Sequence, residues 1–184
     1  MSVIVIREDV IRLVLSNFGL AMFAVAVFFI LLHKLIVRGK VSSEEIVYRW
    51  LALFPLGVTM IYAFVIHVFY PEMSVTSIGW QPSPFQYEVG IADLALGVIA
   101  ILSFNATYGF RLATVLASMI FLFGCAFQHI YLMVQQHNYL SGNAGSWLWF
   151  GDLILPMLLF LCMNSMSRAK AGRKQAATKH SAEV

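Results

Sequence analysis

The sequence predicts an all-helical integral-membrane bundle of about five transmembrane helices, led by an N-terminal interfacial segment. Three observations carry that prediction. The 184 residues are 60% hydrophobic and only 11% charged, against a soluble-domain norm of roughly half apolar and a quarter charged. The mean hydropathy is +0.81, which excludes a water-soluble globular enzyme. The apolar residues gather into five long segments, and a spanning helix needs about 20 such residues. Cys125 and Cys162 both fall inside apolar runs, so they read as packing residues and not as a disulfide framework.

Residues 1–16 alternate VIVI with Arg7, Glu8, Asp9 and Arg12. They are too short to span and lack the features of a signal peptide, so an interfacial lead-in helix is expected. The bundle proper is expected over 17–165. Its first span runs from about Phe18 to Val37 and ends in His33 and Lys34, whose long or polar side chains reach the headgroups. Ser42 and Glu45 form a capping-box pattern that starts the second helix, which continues to Tyr70 with a kink near Pro55. Residues 71–87 (PEMSVTSIGWQPSPFQY) read as the longest internal connection, with three prolines and an interfacial Trp80.

Ser83, Pro84 and Gln86 fit the N-cap, N1 and N3 positions of a third helix spanning roughly Pro84 to Ser103. A turn at 105–109 leads into a fourth helix, about Phe110 to Gln136. A polar loop, HNYLSGNAGS, leads to a fifth helix, about Trp147 to Met163. The basic segment 166–184 is expected to be a disordered tail, because it buries too little apolar area to offset its ordering entropy.

Lys and Arg are retained on the cytoplasmic side of short loops. Lys34, Arg38, Lys40 and Arg49 flank the first connection, Arg111 marks the third, and Arg168, Lys170, Arg173, Lys174 and Lys179 fill the tail. Those regions are expected to face the cytoplasm of a multi-pass inner-membrane protein with a cytoplasmic C-terminus. The other two connections carry no Lys or Arg and are expected outside. Asn105-Ala106-Thr107 matches a glycosylation acceptor, but its inward-facing turn makes the match fortuitous.

The outer half of the bundle is acidic. No basic residue other than His occurs between Trp50 and Phe110, or between Leu112 and Ser167, yet Glu72, Glu88, Asp93 and Asp152 do. At about 1.5 Å per residue, His67, Glu88, Asp93, His129 and Asp152 reach overlapping depths on four helices. Each ionisable group in a span costs on the order of 3 kcal/mol on insertion scales, so such groups turn inward toward partners, water or function. Gln86, Gly90, Asp93, Gly97 and Ala100 share one face of the third helix. Thr59, Ala63 and His67 align on the second. On the fourth, Ala117, Gly124, Gln128 and Tyr131 form an expected seam, with Ser118, Cys125 and His129 on the adjoining stripe. Pro156 cannot donate to the carbonyl of Asp152, which leaves backbone oxygen and carboxylate free at one level.

The candidate ligand-binding residues are therefore His67, Gln86, Glu88, Asp93, Gln128, His129, Asn143 and Asp152, in an outward-facing acidic and histidine-bearing pocket. Carboxylate and imidazole donors suit a divalent metal ion, for which His67, Glu88, His129 and Asp152 are the candidate ligands. The chain holds no H-x-x-x-H, E-x-x-H or C-x-x-C pattern. The preferred reading is binding or transport of a small ligand, cation or proton. The alternatives are a membrane redox subunit with His67 and His129 serving a haem or quinone, and an accessory or scaffold subunit. Membrane lipid is the expected surrounding, with a membrane-protein partner or a homo-oligomer as the protein contact. The sparse basic residues exclude nucleic-acid binding, and no nucleophile elbow marks a hydrolase.

The run IGWQPSPFQYEVG (78–90), with FRLAT (110–114), the His129-Ile130 pair, NAG (143–145) and the Asp152–Pro156 spacing, resembles a family of small bacterial inner-membrane proteins of unknown function. The resemblance covers roughly residues 45–163. It implies a bacterial multi-span helical protein and transfers no catalytic residue.

Overall fold

The computed structural model describes Leu13, Val14 and residues 16–182. Apart from Leu13, Val14 and Ser16, the expected interfacial segment 1–16 lies outside the described residues. Among the described residues the elements are α1 (Phe18–Val37), α2 (Ser43–Phe69), α3 (Pro71–Ile78), α4 (Phe85–Leu102), α5 (Tyr108–Gln136), α6 (Ser141–Ala144) and α7, which comprises a π-helical opening, Trp147–Ile154, and a long α-helix, Leu155–Ala182. Five helices are long and apolar enough to cross a membrane, and no strand occurs among the described residues. The chain is an all-α, multi-pass membrane protein.

Local chemistry sets the boundaries. The Ser42 hydroxyl accepts a hydrogen bond from the Glu45 amide at 3.3 Å, which is the first half of the expected capping box. The second half is missing because the Glu45 carboxylate is engaged elsewhere. The kink expected at Pro55 takes the form of a π-helical segment, Ala52–Val58. A wide turn accommodates the ring, which cannot continue the regular amide ladder.

Three expectations change. The connection 71–87 contains α3, because Pro71 occupies the first helical position, where its missing amide is harmless. Gly79 ends α3 in the left-handed region (φ 84°), a conformation that favours glycine. Helix α4 begins at Phe85, not Pro84. The Phe85 amide donates to the Ser83 hydroxyl, while the Gln86 side chain reaches away to the Pro71 carbonyl at 3.1 Å. The tail expected to be disordered continues α7 through Ala182. Its Ala, Lys, Gln and Arg residues have high helix propensity, and they extend a helix already nucleated inside the bundle.

Helix α2 packs most closely on α4, at two glycines. A Cβ on Gly97 would lie 3.0 Å from the Gly57 carbonyl oxygen, and one on Gly57 would lie 2.7 Å from Ile101. The two backbones meet without side chains between them, as small residues allow in membranes. The core runs through Tyr48, Leu56, Ala100, Leu122, Leu155 and Leu159, all buried. Helix α1 is peripheral, burying only Gly19 and Ala26. On α5, Ile120 and Phe127 are among the most exposed side chains, at 78% and 75%, as expected of a lipid-facing surface.

One end of the bundle is closed by a polar clamp. The Arg111 guanidinium donates to both Glu45 carboxylate oxygens, at 2.6 and 2.9 Å, and to the carbonyls of Ser103 and Phe104, at 3.0 and 2.8 Å. Arg49 donates to Glu45 at 2.7 Å. The Tyr48 ring lies 4.8 Å from the Arg111 guanidinium carbon, and the Tyr48 hydroxyl donates to Ser103 at 2.9 Å. A bidentate arginine fork fits such a site where lysine would not. Arg111 therefore joins the start of α2, the end of α4 and the start of α5.

Removing one member of a buried ion pair strands the other. Arg111→Met is expected to lower stability by on the order of 3 kcal/mol, and Arg111→Met with Glu45→Leu to recover part of that loss. Denaturant unfolding of the purified protein in bicelles measures both. Equal losses in the single and double variants would show that the ion pair itself is not what holds this end.

Candidate functional site

The opposite end of the bundle is hollow. A cavity of about 650 Å³ opens between α2, α4, α5 and α7, beneath α3 and α6. Four of the sequence candidates line it: His67 from α2, Asp93 from α4, His129 from α5 and Asp152 from the π-helical opening of α7. The depths inferred from helical rise and the inward faces of α2 and α4 thus converge on one space. The remaining lining is mainly apolar and aromatic, including Met60, Tyr62, Ile66, Phe121, Leu122 and Trp147.

Each polar group is set by its helix. Asp152 lies in a wide-turn segment immediately before Leu155 and Pro156, where the regular ladder is already interrupted. His129 is oriented by Asn143, which is fully buried. The Asn143 amide nitrogen donates to the carbonyls of His129 and Asn138, at 3.1 and 2.8 Å. Its oxygen must then accept from His129 Nδ1 at 2.8 Å. Nδ1 therefore carries the hydrogen, and Nε2 faces Asp152 Oδ2 at 3.8 Å. A lone pair facing a carboxylate is repulsive, so a proton on one of the two atoms is what makes the contact attractive. His67 Nδ1 lies 3.1 Å from the Ser74 hydroxyl.

Asp93 differs from the others. It is 3% exposed, and no hydrogen bond or ion pair engages its carboxyl among the described residues. Yet its oxygens are not sealed off, since among the described residues the buried side-chain atoms without a partner are Trp80 Nε1 and Ser118 Oγ. The Asp93 oxygens accordingly face the cavity. Asp93 and Asp152 line the same cavity from different helices.

The other candidates are placed differently. Gln86 is buried but spent on the Pro71 carbonyl. Glu88 is exposed and outside the cavity lining, one turn into α4 on the opposite face from Gln86 and Asp93. Gln128 is exposed as well, and so are Ala117, Gly124 and Tyr131. The expected seam on the fourth helix thus points outward, and the adjoining stripe of Ser118, Cys125 and His129 points in, because Leu122, Ala126 and Leu132 rotate that stripe into the bundle. The four proposed metal ligands do not gather. Among the described residues no three His, Cys, Asp or Glu side chains converge to hold a metal ion.

Sequence reasoning missed the aromatic part of the site. Trp80, read as a headgroup anchor, lies inside, with its indole near-parallel to the His129 ring at 6.3 Å between centroids and 6.4 Å from that of His67. Cys125, read as packing, lines the cavity. The start of α1 closes one flank: Phe18 stacks on Tyr62 at 4.1 Å, Tyr62 lies parallel to Trp147 at 6.1 Å, and the Trp147 indole donates to the Ser16 carbonyl at 3.0 Å.

Asn143→Leu is expected to release His129 Nδ1 and the carbonyl of Asn138 together, lowering stability by about 1 to 3 kcal/mol. It should also change the His129 tautomer balance, observable as a shift of the imidazole ¹⁵N resonances. Unchanged resonances would show that Asn143 does not set the ring.

Residues 16–172 match a family of unknown function, DUF6790. No curated protein and no solved structure matches the chain. The matched segment takes in all five apolar helices and every residue of the cavity lining, and the chain belongs to DUF6790.

Proposed function

We propose that the protein binds a small organic molecule in the cavity between α2, α4, α5 and α7, as a receptor or as part of a transport process. The observation that carries this reading is Asp93, a carboxyl that is 3% exposed, without a protein partner among the described residues and lining open space. A carboxyl that faces the cavity without a side-chain or backbone partner is free to hydrogen-bond or pair with a bound molecule. The cavity volume of about 650 Å³ lies within the usual range for small-molecule sites, roughly 300 to 1,000 Å³. A mostly apolar lining with a few convergent polar groups fits the same class.

The residue geometry favours an organic occupant over the alternatives read from the sequence. The metal reading lacks a converging donor set among the described residues. The haem reading requires two imidazoles reaching one iron, whereas the Trp80 indole stands beside both rings, its centroid 6.3 Å from that of His129 and 6.4 Å from that of His67. The distribution of Lys and Arg supports a cavity opening outside and a clamp and C-terminus on the cytoplasmic side of the membrane.

Two measurements bear on this. Ala63 lines the cavity, and Ala63→Trp is expected to fill it. Native mass spectrometry of protein purified in nanodiscs should show a co-purified organic molecule on the parent chain and its loss from the variant; retention by the variant would place binding elsewhere. Ser141 is exposed at the cavity rim. A Ser141→Cys variant lacking Cys125 and Cys162 is expected to react with a membrane-impermeant maleimide added outside intact spheroplasts. Reaction only after lysis would reverse the orientation.

A further inference from the structure

Resting on the reading of the cavity as a small-molecule site, we infer that its occupant is an organic monocation, an ammonium-type head seated on the Asp93 carboxylate with an apolar body against the walls. The inference follows from the charges that the site can and cannot satisfy. Among the described residues no Lys or Arg lines the cavity, so there an anionic head would meet the carboxyls of Asp93 and Asp152 without a compensating cation. A purely apolar molecule would leave the Asp93 carboxyl, 3% exposed, as unpaired as before.

A bare inorganic cation fits poorly. Hard cations require about six or more oxygen ligands, whereas most of this lining is hydrocarbon and aromatic ring. Transition metals require a cluster of donors that the described residues do not form. Protons alone would not require a volume of about 650 Å³.

The count of charges selects a single positive charge. His129 Nε2 and Asp152 Oδ2 stand 3.8 Å apart, so Asp152 has an imidazole beside it, whereas nothing among the described residues engages the Asp93 carboxyl, the group left for a cation. The walls suit the rest of such a molecule. Tyr62, Trp80, Phe121 and Trp147 supply aromatic rings, whose negative faces attract ammonium groups. Met60 and Ile66 supply deformable and branched apolar surface for a hydrocarbon body.

The test uses the full chain in nanodiscs and isothermal titration with four probes of similar shape, namely benzylammonium, benzyltrimethylammonium, benzyl alcohol and benzoate, with protein-free nanodiscs subtracted. At least one ammonium probe is expected to bind 10-fold or more tightly than the alcohol and the benzoate. Asp93→Asn is expected to weaken that probe by 10-fold or more, while Glu88→Gln, on the exposed face of the same helix, leaves it unchanged. If Asp93→Asn does not fold, as judged by gel filtration and circular dichroism, the comparison of ammonium with alcohol on the unaltered chain decides alone. Alcohol binding as tight as ammonium, and lost in Ala63→Trp, would overturn the monocation while leaving a small-molecule cavity. Ammonium binding that Asp93→Asn does not weaken would likewise overturn it. Failure of all four probes to bind would overturn both readings.

Discussion

In hydrocarbon every polar group must find its partner inside the protein, and this chain meets that requirement at one end and leaves it incomplete at the other. At the closed end, Arg111 fills its fork with Glu45 and two backbone carbonyls, and Tyr48 and Ser103 complete the network. At the open end, Asp93 has walls but no partner among the described residues. The contrast is informative because both sets of groups belong to the same helices, α2, α4 and α5. A bundle that packs one end to full satisfaction is not short of the means to do so at the other.

The closed end also explains how the cavity can exist. Helices α2 and α4 meet backbone to backbone at Gly57 and Gly97, midway along the bundle, and the core residues Leu122 and Leu155 seal the middle of α5 and α7. Below that level the helices are fixed by close packing and by the arginine fork. Above it a space remains between α2, α4, α5 and α7, although α2 and α4 stay close at Gly90, where a Cβ would lie 2.7 Å from Val68, and two short helices in the connections cap that space. Asn138 and Asn143 tie these caps to the bundle, the first donating to the Ile78 carbonyl at 2.8 Å and the second holding His129. Rigid scaffold and hollow end are two parts of one design.

The helices were legible because apolar run length is a strong signal, and so were the depths of His67, Asp93, His129 and Asp152, because helical rise is fixed. The faces of α2 and α4 were legible from small residues beside a polar one. The face of α5 was not. Its Ala117, Gly124 and Gln128 look like a packing seam, yet they lie outside, because periodicity identifies a stripe without saying which stripe a neighbour covers. Trp80 was equally opaque: indoles at span ends anchor in headgroups as often as they fold inward, and only the folding of the connection over His129 separates the two. Arg111 carried a topology signal in the sequence, but its partnership with Glu45, 66 residues earlier, is a long-range pairing that no local pattern encodes. The helical tail was missed because a burial argument was applied to a segment that inherits its helix from α7.

The wide turn that presents Asp152 has an implication for how this family can vary. A π-helical stretch behaves like an α-helix holding one surplus residue. Loss of one residue from 147–154 would remove that surplus and let the segment relax to ordinary pitch, with the flanking turns kept near their present faces. Trp147, with its contacts to Ser16 and Tyr62, and the buried Leu155 and Leu159 would stay near their present faces, while Asp152, inside the wide turn, would shift relative to both. Chain length across these eight positions is therefore as much a determinant of the site as the identity of any side chain in it.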